Sequence, residues 1–320
     1  MINDLKQGEA RFSLTLRHLR TLKRSELRNY AQNLTPYLFL APGLALFVIF
    51  IVLPMAYSFR ISLYDWNVVR PERSVYLGLE NYSEAINDPV FQRSVLNTLA
   101  YALVTVPAQL ILGMSVAVLL NQKLPGQTFF RTLYYLPVIT SWVIVTLLFE
   151  FLFNGQAGLI NYLLQSAGIV DKPIRWLADE YLAMVPIHLL GIWKGLGWTA
   201  IVMLAGLQSI PETLYEAAAV DGANAWRRFW NITLPMMRPT LVFLIVVLTI
   251  GALNVYISGL LMTDGGDPLD RTHFVLTLMY EETFENFEFG QGAAISYLLT
   301  AVVFIISLAQ IRMLNREVEY

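Results

Sequence analysis

Two apolar runs of the sequence contain short groups of polar and small residues whose chemistry suits solute recognition. Residues four apart lie on one side of a helix, so each group predicts a polar stripe on a helix. An indole face beside amide, hydroxyl and ammonium groups suits a hydroxylated ring compound. The two groups consist of Lys194, Gly195 and Trp198, and of Gly251, Asn254 and Ser258.

Lys194 is the charged member of these groups, and it lies about midway along an apolar run. A charge at the centre of a membrane helix costs at least about 2.5 kcal/mol unless it faces water or a partner. Lys194 therefore predicts a water-filled solute path that its own helix helps to line. In the alternative, Lys194 pairs with a carboxylate of a partner chain and Asn254 only bonds neighbouring helices.

A third group of residues, LYEAAAVDGANAWRRFWNITLP, predicts a surface for another protein. Pro211 suits the first position of a helix there, and Gly222 is well placed to end it. Asn224 can cap a second short helix, AWRRFW. Alanines beside Gly222 leave a smooth surface that another chain can approach closely. The alternative is a helical hairpin that packs only against its own domain.

Groups suited to covalent chemistry are missing from the sequence. His18, His188 and His273 are too scattered for a zinc site. The absence of cysteine excludes a disulfide, an iron–sulfur site and a thiol nucleophile. The sequence contains neither G-x-x-x-x-G-K-[ST] nor paired carboxylates. We expect no enzyme activity, no bound cofactor or metal, and no nucleic-acid partner.

The composition places these groups in a membrane protein. Of 320 residues, 56% are apolar and 14% are charged, and the mean hydropathy is +0.53. A soluble domain carries about 25% charged residues. Several uncharged runs exceed the roughly 20 residues that a helix needs to cross a bilayer. We predict an all-α membrane protein with six transmembrane helices near 37–59, 95–120, 132–153, 182–207, 239–262 and 290–312.

The distribution of basic residues predicts the orientation of these spans. With the N-terminus inside, cytoplasmic segments hold 14 of the 22 Lys and Arg residues. The positive-inside rule therefore places both termini in the cytoplasm. The tail 1–36 is basic and either lies on the inner leaflet as an amphipathic helix or forms a disordered segment. The first span follows this charged tail and lacks an A-x-A-like cleavage site at its end, so we expect that it is not a secretory signal.

Three predicted external loops carry short helical pieces. In GLENYSEAINDPVF, Asn81 suits the N-cap of a helix that Asp88-Pro89 would end. In LINYLLQSAG, Gly168 would end a second helix. The third loop contains the turn DGGDP and the acidic, aromatic run YEETFENFEF. We interpret these pieces as an outward platform for an external partner, although they could also be simple connections.

The quoted stretch resembles the EAA motif of ABC importer permeases. EAAAVDGANAWRRFWNITLP has the Glu-Ala-Ala, a Gly five residues after the first Ala, and the terminal Ile-x-Leu-Pro. Over nearly its whole length the chain is similar to the carbohydrate-uptake branch, the maltose and glycerol-phosphate type. The matching pieces are GLENY, DPVF, NTLAYALVTVPAQLILG, FFRTLYYLP, LAGLQSIPETLYEAA and FGQGAA. TDGGDPLDRT departs from the tighter Thr-x-Gly-Gly-Pro of the family.

This resemblance implies a type-1 transmembrane domain over 37–320 in the bacterial inner membrane. It implies a second homologous permease chain, two cytoplasmic ATP-binding cassette subunits that hold ATP and Mg, an external solute-binding protein and surrounding lipid. A coupling helix over 213–221, between spans four and five, would enter a cleft of one ATPase. The resemblance also indicates that spans four and five line the solute path. The residues it assigns to coupling are Tyr215, Glu216, Ala217, Ala218, Asp221 and Gly222.

Within the resemblance we expect a di- or oligosaccharide, with glycerol-3-phosphate or another polyol as the alternative solute. An ion-coupled secondary transporter is the alternative from another class. Such a transporter needs carboxylates inside the membrane. Glu150 is the candidate, but it lies near the outer end of the third predicted span. An ion channel would need a charged or carbonyl ring along its pore, and the sequence indicates none.

Overall fold

The computed structural model describes residues 36–122 and 125–314, and the statements below concern that part of the chain. These residues fall into two compact units. The first unit contains one described helix, α1 (Pro36–Ile61), with a π-helical turn at Val48–Val52. None of its described residues is buried. The two interpretations of the basic tail concern residues 1–35, which lie outside the described part.

The second unit is helical except for one short antiparallel hairpin. Its strands are β1 (Tyr64–Asp65) and β2 (Val75–Tyr76), in the register Tyr64↔Tyr76. Its helices are α2 (Glu80–Asn87), α3 (Pro89–Leu120), α4 (Gln127–Ile139), α5 (Trp142–Leu152), α6 (Leu159–Ser166), α7 (Met184–Gln208), α8 (Glu212–Val220), α9 (Ala225–Met236), α10 (Arg238–Leu253), α11 (Ile257–Met262), α12 (Val275–Tyr280) and α13 (Phe289–Leu314).

Four helices in the described ranges are long and apolar enough to cross a membrane, or up to six spans if two bent helix pairs each count as one. The four are α1, α3, α7 and α13. Their bounds lie within a few residues of the predicted spans 37–59, 182–207 and 290–312, whereas α3 begins six residues before the predicted 95–120. Apolar runs of this length carry enough information to locate a helix, because a helix satisfies its own backbone groups in hydrocarbon.

The predicted span 132–153 is not one straight helix. In its place α4 and α5 meet at a bend of 94° around Thr140 and Ser141. Pro137 lies in the last turn of α4 and lacks the N–H that a helix interior requires. Hydropathy averages over such a break, so the apolar run alone predicted one straight helix.

The predicted helix 239–262 is also wrong in its second half. α10 ends at Leu253, and a separate helix, α11, begins at Ile257. The side-chain amide of Asn254 donates a hydrogen bond to the carbonyl oxygen of Ile250 at 2.8 Å. Side chains of this type compete with the backbone and favour helix ends. Before α10 a second bend, of 64°, separates it from α9.

The centre of the second unit is the contact between α3 and α7. Glycines of α7 admit α3 side chains, since a Cβ at Gly191 would lie 2.0 Å from the Tyr101 hydroxyl oxygen. Gly113 of α3 does the same for Thr199, at 2.7 Å from its methyl carbon. Small residues allow membrane helices to approach closely without a hydrophobic driving force between them. Two apolar clusters that include residues of α3, α7 and α10 complete this core.

Asn81 does not cap α2, contrary to the sequence prediction. It lies inside the helix and is 5% exposed. Its side-chain amide donates to the carbonyl oxygens of Ser62 and Tyr64, at 2.9 and 3.0 Å. Asp88 ends α2 as predicted and also caps α3, accepting from the backbone N–H of the second and third residues of α3. α6 ends before Gly168, whose φ of +68° agrees with the predicted helix stop.

Candidate functional site

A cavity of about 500 Å³ lies among α3, α5, α7 and α10 and the segment that follows α10. This volume is within the range of roughly 300–1,000 Å³ that is typical of small-molecule sites. All of its lining side chains are uncharged, and most are apolar or aromatic. The polar and aromatic members are Tyr101, Thr105, Gln109, Trp142, Trp198, Asn254 and Tyr256.

Gln109 of α3 is a buried polar group in this wall. It is 8% exposed, and its side-chain N–H donates to the carbonyl oxygen of Gly191 at 3.1 Å. Its oxygen, Oε1, has no hydrogen-bond partner among the described protein atoms. A Cβ at Gly195 would lie 2.2 Å from this oxygen, so the glycine makes room for the amide. The Gln109 amide is therefore packed into the wall against α7, with its oxygen covered by protein atoms.

Four of the six predicted solute residues line this cavity: Gly195, Trp198, Gly251 and Asn254. The Trp198 ring packs at 6.4 Å, centroid to centroid, from that of Phe243 on α10. A Cβ added at Gly251 would meet no atom within 4 Å, so this glycine faces open space. Asn254 is exposed at the end of α10.

Lys194 is not among the residues that line the cavity, and its contacts within the chain differ from both interpretations of its charge. Its ammonium donates hydrogen bonds to backbone carbonyl oxygens at the bend between α4 and α5. These carbonyls provide an acceptor for each of its three N–H donors. The sequence argument placed Lys194 and Trp198 on one side of the helix, but a flexible four-carbon stem let the charge turn to the nearest acceptors.

Ser258 also lies outside the cavity. It belongs to α11 and is fully buried. The predicted stripe with Asn254 required one continuous helix, and the break after Leu253 removes that spacing. Because α11 is a separate helix, a separation of four residues no longer places these two side chains on one face.

A second candidate site is the hairpin of α8 and α9, which we call the coupling hairpin (residues 212–236). α8 ends at Val220, and Gly222 follows with φ +73°. The N–H of Gly222 donates to the carbonyl oxygen of Ala219, and that of Ala223 to Ala218, at 3.1 and 2.8 Å. This pair of bonds is a Schellman motif, which satisfies the last carbonyls of a helix. As predicted, Asn224 caps the following helix, by accepting from the N–H of Arg227.

The side chains of the coupling hairpin divide between the surface and the chain itself. Tyr215 turns inward, and its hydroxyl lies 3.0 Å from Thr233 Oγ1. Val220 and Trp226 are 89% and 69% exposed. The other residues assigned to coupling are exposed except Ala218, which is partly buried: Glu216, Ala217, Asp221 and Gly222. The hairpin thus combines a fixed backbone with an exposed apolar and acidic surface.

The sequence matches the family model for the binding-protein-dependent transport system inner membrane component over residues 87–319. The chain belongs to this family. It is therefore an ABC transporter permease of the bacterial inner membrane, and the family confirms the resemblance inferred from the EAA motif.

Curated relatives of this permease match over most of their length. It is 34% identical over 283 residues to the probable ABC transporter permease protein YurN of Bacillus subtilis, covering 88% of this chain and 96% of YurN. It is 34% identical over 293 residues to the lactose transport system permease protein LacF of Rhizobium radiobacter, and the match covers 91% of this chain and 97% of LacF. A crystal structure of a bacterial ABC transporter involved in the import of alginate shares its fold, with a TM-score of 0.79 and 23% identity. The match covers 91% of this chain and 99% of the chain in that structure.

The segment TDGGDPLDRT of the permease, which departs from the family pattern, is tied to the helices around it. Asn97 of α3 donates to the carbonyl oxygens of Arg271 and His273, at 2.8 and 2.9 Å. His273 is 2% exposed, with Nε2 3.3 Å from a carboxylate oxygen of Glu281. Burial lowers the pKa of the His273 imidazole, and the Asp270 carboxylate opposes that shift. The segment is therefore a packed part of the unit.

Sequence reasoning missed five polar or aromatic residues of the cavity. Tyr101, Thr105 and Gln109 come from α3, which was read only as a span. Trp142 begins α5, and Tyr256 lies in the break before α11. The polar positions 101, 105 and 109 recur every four residues along an apolar helix, and this spacing was a signal that could have identified them.

Proposed function

We propose that this permease forms, with a second permease chain, the path for an uncharged di- or oligosaccharide in an ATP-driven importer. The observation that carries the proposal is the neutral cavity among α3, α7 and α10. It offers two indole rings, Trp142 and Trp198, and the exposed amide of Asn254. Aromatic faces with a few amides and hydroxyls suit a sugar ring, which has apolar faces and a hydroxylated edge.

Glycerol-3-phosphate is the alternative solute. The permease is 32% identical over 295 residues to the sn-glycerol-3-phosphate transport system permease protein UgpA of Brucella abortus, covering 91% of this chain and 98% of UgpA. A phosphate is normally bound by Arg or Lys, or by N–H groups at a helix start. The cavity wall carries uncharged side chains, and the ammonium of Lys194 is held by carbonyls at the bend. These contacts favour the sugar.

We further propose six spans with both termini in the cytoplasm. In this topology each bent pair, α4 with α5 and α9 with α10, crosses the membrane once. The coupling hairpin then lies on the cytoplasmic side, where its exposed α8 enters a cleft of an ATPase and Glu216 meets a basic group. ATP and Mg bind to the two ATPase subunits, and this chain has no enzyme activity of its own. An external binding protein delivers the solute to the outer ends of the spans.

Reconstitution tests the proposal. Vesicles would contain either this chain alone or the complete transporter, meaning both permeases, both ATPases and the binding protein, with ATP on the ATPase side. The probes are labelled lactose, maltose, trehalose and sn-glycerol-3-phosphate. We expect ATP-dependent uptake of a neutral sugar by the complete transporter and none by the chain alone.

Two results would contradict the proposal. Uptake of sn-glycerol-3-phosphate with none of the sugars would overturn the solute assignment. Ion-gradient-driven uptake by the chain alone would instead support a secondary transporter.

Gln109→Leu is the matched cavity variant, because it replaces the amide by an apolar side chain of similar size. We expect it to lower sugar uptake about tenfold, because it removes the hydrogen bond to the Gly191 carbonyl that holds this part of the wall and leaves that carbonyl without the amide donor.

A further inference from the structure

Lys194 lies at the bend between α4 and α5 and contacts the backbone there. Its ammonium donates hydrogen bonds to the carbonyl oxygens of Pro137, Val138 and Thr140, at 2.5, 3.2 and 2.6 Å. Lys194 is 7% exposed. A lysine ammonium has three N–H donors, so these three acceptors use its full capacity.

The carbonyls at the bend need hydrogen-bond donors from outside α4. The last four carbonyls of a helix have no partner within it and carry partial negative charge. Pro137 and Val138 belong to the last turn of α4, and Thr140 follows the helix end. The Thr140 hydroxyl donates to the carbonyl oxygen of Leu136 at 3.0 Å, so side chains satisfy the carbonyls of three consecutive residues, 136, 137 and 138. In an apolar surrounding each unsatisfied carbonyl costs several kcal/mol.

Beyond the bend Lys194 contacts the cavity wall. Its Nζ lies 5.5 Å from the centroid of the Trp142 ring. This separation is within the reach of about 6 Å at which a cation is attracted to an aromatic face. Trp142 is the first residue of α5 and lines the cavity. The ammonium therefore contacts the end of α4 and the Trp142 ring at the start of α5.

The structure assigns Lys194 as a positioning residue that holds the bend between α4 and α5 and thereby fixes the Trp142 indole in the cavity wall. The charge acts on the solute only through this ring. The effect on the bend is independent of the solute, whereas the effect on uptake rests on the proposed function of the cavity. The two effects are therefore measured separately.

The bend is measured by the distance between spin labels on its two arms. The chain has no cysteine, so Phe129→Cys on α4 and Phe151→Cys on α5 give a unique pair of labelling sites, and these residues are 67% and 62% exposed. In the complete transporter we expect one narrow distance distribution with Lys194, and a broad one in Lys194→Met. Lys194→Arg keeps a cation with N–H donors and should restore the narrow distribution.

Thr140→Val is the matched control at the same bend. It removes the hydroxyl bond to Leu136 but leaves every carbonyl that accepts from Lys194. Because it frees one carbonyl where Lys194→Met frees three, we expect it to broaden the distribution much less than Lys194→Met does. An unchanged distribution in Lys194→Met would overturn the assignment. If Lys194→Met does not accumulate in the membrane, the same measurement is made on Lys194→Ala, which also lacks a side-chain donor, and an unchanged distribution there overturns the assignment equally.

A double-mutant cycle tests the link to the cavity. Uptake is measured for the sugar that the wild-type transporter carries, in Lys194→Met, Trp142→Ala and the combined variant. We expect Lys194→Met alone to lower uptake about tenfold, and to add less than about twofold when Trp142 is already absent, because coupled residues are not additive. Independent, multiplying effects would overturn the role of Trp142. Failure of the solute proposal would leave the spin-label result intact.

Discussion

Gln109 and Glu216 are both polar residues at proposed contact sites, but their surroundings are opposite. Gln109 is 8% exposed and lies in the wall of a cavity that is lined by four helices. Glu216 is exposed on α8, a helix with no fully buried residue. The cavity is therefore shaped by packing within this chain. The coupling hairpin presents side chains whose environment another chain must supply.

This difference predicts different responses to substitution. In the cavity the volume and hydrogen bonds of single side chains matter, because the surrounding helices are packed and cannot readily yield. In the coupling hairpin the backbone geometry matters most, since the Schellman motif at Gly222 fixes the direction in which α8 presents its surface. Each of the following experiments asks whether one of these statements holds.

Gly251→Phe should have the largest effect. Gly251 faces open space in the cavity, so the ring can enter the solute volume without displacing the helices. We expect uptake to fall at least about a hundredfold, since the solute cannot occupy a filled site. Gly251→Ala is the control and should retain uptake, because its Cβ meets no atom within 4 Å. Normal uptake in the Phe variant would move the solute path away from this cavity.

Gly222→Val should uncouple the transporter. A β-branched residue is strained at φ +73°, at a cost of about 1–2 kcal/mol or more. We expect membrane insertion to persist and solute-stimulated ATP hydrolysis to fall about tenfold, because α8 would no longer present its exposed surface in the same direction. Gly222→Asn is the matched control, because Asn tolerates this conformation and should couple better than Val. Full stimulation in Gly222→Val would contradict the role of this turn.

Trp198→Ala and Asn254→Ala should impair uptake while the complex still assembles. Trp198 supplies an indole face and Asn254 an amide at the cavity edge. We expect each variant to lower uptake about fivefold to tenfold, the size of one lost stacking or polar contact. Uptake assays beside purification of the intact complex measure both properties. Unchanged uptake in both variants would place the solute contacts on the partner permease.

Tyr215→Phe should have the smallest effect. It removes the hydroxyl that lies 3.0 Å from Thr233 Oγ1 but retains the ring that packs against the core. One neutral hydrogen bond contributes about 0.5–1 kcal/mol, so we expect stimulated ATP hydrolysis to fall about twofold to fivefold. Thr233→Val should give the same loss, and the two changes together no more than either alone. Additive losses would show that this bond does not connect α8 to the start of the next span.

Much of the architecture follows from the sequence by itself. The apolar runs locate α1, α3, α7 and α13, because a span must be long and satisfy its own backbone. The coupling hairpin was predicted together with its glycine stop and its Asn224 cap, since these depend on residues within a few positions of each other. The EAA motif within it was sufficient to identify the family.

Only the tertiary structure decided where the polar side chains of the spans point. Asn254 ends a helix by bonding its own backbone, and this separates Ser258 from the cavity. Lys194 turns to carbonyls that a bend 54 to 57 residues earlier in the chain leaves without helical partners. Gln109 fits into the cavity wall because Gly195, on another helix, has no side chain. These outcomes depend on contacts between distant segments, which helical periodicity and hydropathy do not contain.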